Sequence, residues 1–123
     1  MTRATALAAH AEGKDTAASA EASHTEGNGT KAVGKAAHAE GNSTTASGDY
    51  AHSEGISTTA NGRSSHAEGE KSKAYAPYSH SEGRECVAGT SGQINDPNNT
   101  DDPSKAVASE GAHAEGRYSK ATG

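Results

Sequence analysis

Histidine and glutamate carry the chemistry that this sequence repeats. All seven histidines sit in one five-residue frame: small residue, His, small residue, Glu, Gly. It opens as Ala9-His10-Ala11-Glu12-Gly13 and closes as Ala112-His113-Ala114-Glu115-Gly116. Between them come His24 with Glu26, His38 with Glu40, His52 with Glu54, His66 with Glu68, and His80 with Glu82. An imidazole beside a carboxylate can exchange a proton, ligate a transition metal, or form a hydrogen-bonded ion pair. Repetition argues against catalysis, because seven equal pairs supply no unique nucleophile or acid. The chain is therefore expected not to be an enzyme, with no catalytic residue and no cofactor.

The elements that position these pairs follow from their spacing. The first six histidines are 14 residues apart without exception. Numbering from the residue before His, positions 1, 3 and 5 are small, and position 8 is mostly Thr or Ser. Position 10 is mostly Ala and position 12 is often Gly. Coil three, Ala37 to Tyr50, shows the pattern most cleanly. Alternation with period 2 argues for strands, with alternate side chains on opposite faces. Two strands of about five residues and two short corners make one turn, and successive turns pair in parallel about 4.8 Å apart. The fold class expected is all-β: a parallel β-roll, or solenoid, of about seven 14-residue coils over residues 1–123, as a single repeat domain.

Composition agrees only because of the repeat. With no Phe or Trp, one Leu, two Ile and three Val, a chain of 123 residues would ordinarily stay disordered. A solenoid escapes this, since each coil completes its core with its neighbours and small side chains suffice. Positions 1, 3, 5, 8, 10 and 12 are expected inside, which turns His and Glu outward. Cys86 falls at position 8 and reads as a small buried residue. Pro77 falls at a corner, where a missing N–H does least harm. The period breaks once: His80 and His113 are 33 residues apart, 19 more than the repeat. The excess has turn composition around residues 91–103 and reads as a loop insertion after which stacking resumes. Thr2, Ala4 and Ala6 fit the second half of a coil, so both ends read as fragment boundaries.

The formal charge is −5, and protonating seven His would bring it to +2. There is no basic run for nucleic acid, no apolar segment for a membrane span, and no signal peptide. Neither nucleic acid nor membrane is expected as a partner.

The 14-residue coil, with its Ser-x-Ala-x-Gly and Thr-x-Ala-x-Gly strands, resembles the YadA-like head repeat of trimeric autotransporter adhesins. The match is best from Ala37 to Tyr78. That resemblance implies a left-handed β-roll assembled as a homotrimer, exposed at a cell surface. In the family positions 2 and 4 are usually aliphatic and face the other two protomers; here they are His and Glu. The Ser-His-Ala-Glu-Gly variant looks more like the copies in phage and prophage tail appendages of Gram-positive bacteria. The implied setting is then extracellular, on a cell or a virion.

Three readings of the His–Glu column follow. As trimer-interface layers, three His and three Glu would meet at an axis, each buried carboxylate paired and hydrogen-bonded. As the alternative, the axial layers would hold a metal or an anion. Cations in successive layers would crowd at about 4.8 Å, so at most a few layers could be filled, and no residue is assigned as a metal ligand. A solvated monomer surface, or a carbohydrate-degrading groove, completes the set. For contact with a host-surface protein or glycan, the candidates are Tyr50, Tyr75, Tyr78, Asn95, Asp96, Asn98 and Asn99. The expected function is a rigid, receptor-presenting segment of an adhesin head or phage tail fibre.

Overall fold

The computed structural model describes residues 1–89 and 111–121. Among these, the regular elements are all β. The His-bearing strands are β2 (His10–Ala11), β4 (His24–Asn28), β6 (His38–Asn42), β8 (His52–Ser53), β10 (His66–Ala67), β12 (His80–Arg84) and β14 (His113–Arg117). They form one seven-stranded sheet. The second half of each coil gives β1 (Arg3–Ala4), β3 (Ala17–Ala18), β5 (Lys31–Ala32), β7 (Thr45–Ala46), β9 (Thr59–Ala60), β11 (Lys73–Ala74), β13 (Val87–Ala88) and β15 (Lys120–Ala121), an eight-stranded sheet. All pairings are parallel, and each strand lies one full coil from its neighbour. This is a parallel β-solenoid with a 14-residue repeat.

Small residues produce this shape because the two sheets lie too close for anything larger between them. Ala39 and Ala67 of one sheet, and Ala46, Ala60 and Ala74 of the other, are fully buried. Thr16, Thr30, Thr44, Thr58, Ser72 and Cys86 fill the position-8 column, also fully buried. Buried hydroxyls need partners, and many find them in the adjacent corner. The Thr58 hydroxyl donates to the Glu54 carbonyl at 2.9 Å, and Thr44 donates to the Glu40 carbonyl at 3.0 Å. Ser65 and Ser79 close the other corner by donating to the carbonyls of Gly62 and Ala76 at 2.7 and 2.6 Å. Cys86 takes the slot of a Ser or Thr, its thiol 3.1 Å from the Gly116 carbonyl oxygen.

Position 5 departs from expectation. Gly13, Gly27, Gly41, Gly69, Gly83 and Gly116 are exposed, not interior, and Gly55 is half-buried. Glycine stands there for backbone reasons. Gly55 has φ +102°, and a Cβ on it would lie 2.1 Å from the Gly69 carbonyl oxygen one coil on. The second strand is also shorter than expected, confined to positions 9 and 10. The chain then turns through left-handed residues at positions 7 and 14, such as Ser57 (φ 55°) and Tyr50 (φ 60°). Pro77 lies at position 13. In coil two the equivalent N–H, that of Lys35, donates to the Asp49 carboxylate at 2.8 Å and not to the ladder, so proline removes no ladder bond there.

Stacking resumes in register after the irregular interval: β12 pairs β14 with His80 opposite His113 and Arg84 opposite Arg117. The loop expected at 91–103 lies outside the described residues.

Candidate functional site

The pleat of the His-bearing sheet sends positions 1 and 3 inward and positions 2 and 4 outward. Parallel register then places every His above the His of the coil before it. From His24 to His113 the ring centroids are 4.6–4.9 Å apart and the rings lie within 1–7° of parallel. Only the His10–His24 pair is tilted, by 46° at 5.0 Å. The glutamates form a second column beside the first. Both are outward-facing, as the sequence implied, and about a third exposed in the central layers.

Pairing between the columns runs across coils. The Glu40 carboxylate lies 3.3 Å from His52 Nε2, Glu54 lies 3.0 Å from His66 Nε2, and Glu68 lies 3.2 Å from His80 Nε2. Each acid thus meets the imidazole twelve residues later. The ion-pair contact with the imidazole two residues earlier is longer, 3.6 Å for His10 with Glu12 and 3.9 Å for His24 with Glu26. At the far end Glu82 lies 3.7 Å from His80 and 3.9 Å from His113, and Glu115 lies 3.7 Å from His113. His24 and His38 stand apart: their Nε2 atoms are shielded from solvent and have no hydrogen-bond partner among the described residues.

The electrostatics follow from this geometry. Burial pushes the Glu54 carboxyl toward neutrality, but the His66 hydrogen bond and the charges of His52 and His66 together outweigh it. Its pKa is held below the ordinary carboxylate value. One carboxylate per layer, at the strand spacing, makes a dense line of negative charge unless the imidazoles carry protons or a cation sits among them.

The remaining candidates are dispersed. Tyr50 and Tyr78 occupy the left-handed corner two coils apart, both about half exposed. Arg63 covers the Tyr50 ring, its guanidinium carbon 5.9 Å from the centroid. Tyr75 lies on a different column at position 11 and is partly buried, so the three tyrosines form no single cluster. Asn95, Asp96, Asn98 and Asn99 lie outside the described residues. A further charged column escaped sequence reasoning: position 13 runs Glu21, Lys35, Asp49, Arg63, alternating in sign coil by coil. Lys35 Nζ is 3.2 Å from Glu21. Reading the sequence at fixed position, down the coils, would have found it.

No protein-family model, curated protein or solved structure matches the chain.

Proposed function

We propose that this chain is a rigid, non-enzymatic segment of a trimeric fibrous surface protein, of the adhesin-head or phage tail-fibre kind. In this reading the roll is left-handed, the His–Glu face turns toward a threefold axis, and the variable corners face outward to a host protein or glycan. The segment works outside the cell, on a bacterial surface or a virion.

The observation that carries the reading is the monotony of one face. Seven coils present the same two outward polar residues in unbroken register, while the position-9, position-11 and corner residues vary. A face that meets only water has no need for uniform residue types. A face that meets copies of itself under rotation brings like side chains together layer by layer, so one pairing that works in a single layer can be repeated in every coil. The shielded, unpartnered Nε2 atoms of His24 and His38 fit such a face, since a second copy's carboxylate would satisfy them. Polar layers of this kind fix register and oligomer state.

Sedimentation equilibrium of the full chain tests it. A mass three times the 12.3 kDa of one chain is expected. A single chain across the micromolar range overturns the reading.

A further inference from the structure

The geometry points to a second property of the column: it is a ladder of transition-metal sites, each built within one chain and filled in alternate layers. One ring nitrogen from each of two successive histidines and one oxygen of the glutamate between them lie within 4.8 Å of one another. This holds for His10–Glu12–His24, His38–Glu40–His52, His52–Glu54–His66 and His66–Glu68–His80, while a fifth group, Glu82–His113–Glu115, offers one imidazole and two carboxylates. Two neutral imidazoles and a carboxylate are a donor set for Zn²⁺, Ni²⁺ or Cu²⁺, not for Mg²⁺ or Ca²⁺, which prefer all-oxygen shells. Water completes the coordination.

The distances are close to what ligation needs. Bonds of about 2 Å to a tetrahedral ion hold ligand atoms about 3.3 Å apart. The Glu40–His52 and Glu68–His80 contacts of two filled groups are 3.3 and 3.2 Å. The two rings of a filled site stack at 4.8 Å for His38 with His52 and 4.9 Å for His66 with His80, and their nitrogens must converge by about 1.5 Å to reach that ligand spacing. His24 and His38, whose shielded Nε2 atoms make no hydrogen bond among the described residues, each belong to a group that alternate-layer filling occupies.

Sharing dictates the filling. A neutral imidazole has one ring lone pair, so it serves one cation. His52 and His66 each belong to two groups, so neighbouring groups cannot both fill. The fullest arrangement occupies the groups around Glu12, Glu40, Glu68 and Glu115, no two of which share a ligand, and leaves the Glu54 group empty. The predicted capacity is about four cations per chain. Every ligand of a site belongs to one chain, so the proposal does not rest on the trimer.

The test is calorimetric titration of the full chain with ZnCl₂ after chelator treatment, with MgCl₂ and CaCl₂ in parallel. Expected are about four Zn²⁺ per chain and no comparable Mg²⁺ or Ca²⁺ uptake. Glu54→Gln keeps four and Glu40→Gln lowers the count to three, with far-UV circular dichroism confirming the fold of each variant. X-ray absorption of the zinc-loaded wild-type chain gives a reading free of mutation: imidazole scattering in a nitrogen–oxygen shell is expected. The proposal is overturned by no Zn²⁺ uptake at millimolar metal, by equal uptake of Mg²⁺, by an absorption spectrum without imidazole, or by loss of a site in Glu54→Gln but not in Glu40→Gln. Sedimentation on the same samples separates the two readings: a lone chain that takes up four Zn²⁺ keeps this one and removes the trimer.

Discussion

Glu54 is held between two imidazoles, and its acidity records that. Its folded pKa lies below its unfolded value, so its contribution to stability is present above about pH 4.3 and is lost as pH falls through the folded pKa. The side chain is about a third exposed, so solvent screening keeps that contribution under about 1 kcal/mol. Carboxyl carbon NMR is expected to show Glu54 titrating below the unfolded value, and His66→Gln is expected to move it upward. Unchanged titration in that variant would remove the cross-coil pair. The His-x-Glu motif itself was legible, but its pairing was not. Sequence proximity joins His52 to Glu54, whereas the shorter contact joins Glu54 to His66. His66 lies opposite His52, so Glu54 and His66 are diagonal neighbours across the ladder, and the shorter contact is made by side-chain reach along that diagonal and not by backbone proximity. Only the pairing register reveals this.

At the scale of the coil, two corner positions carry the backbone cost. A Cβ at Gly55 meets the Gly69 carbonyl oxygen at 2.1 Å, and φ is +102°. Gly55→Ala is therefore expected to destabilise the fold by about 2 kcal/mol or more, read from chemical denaturation. Ser57 takes a left-handed conformation that disfavours any Cβ. Its equivalent one coil pair earlier is Gly29, with φ 68°. Ser57→Gly is expected to be stabilising by up to about 1 kcal/mol, with a loss of stability as the contrary result. The strands, the parallel stacking and the small-residue interior were all readable from period and alternation. Position 5 was misread because glycine serves equally as a small interior residue and as a φ-positive one. The distinguishing signal was present: positions 1 and 3 exchange Ala, Ser and Thr freely, while position 5 is Gly in all seven copies.

Over the whole molecule, stability is distributed as a sum of nearest-neighbour contacts between coils. The alternating Glu21, Lys35, Asp49, Arg63 column favours the observed one-coil register over slipped pairings. If the His–Glu face is an interface, one layer can be replaced as a unit. Glu54→Ile combined with His66→Val is expected to keep or raise Tm, because well-packed aliphatics replace a buried polar pair. His66→Ala alone is expected to lower it, leaving Glu54 without its nearest donor. A double variant that melts far below the single one would place this face in water.

The same pairing across β12 and β14, with 33 residues between partners that elsewhere are 14 apart, has a practical outcome. That corner accepts extra chain without disturbing the coils on either side, and lengthening a connection costs only about 0.6 kcal/mol per doubling. Further chain inserted between Gly89 and Gly111 is therefore expected to leave the His80–His113 register intact, which makes that connection the place to graft a foreign epitope or peptide ligand.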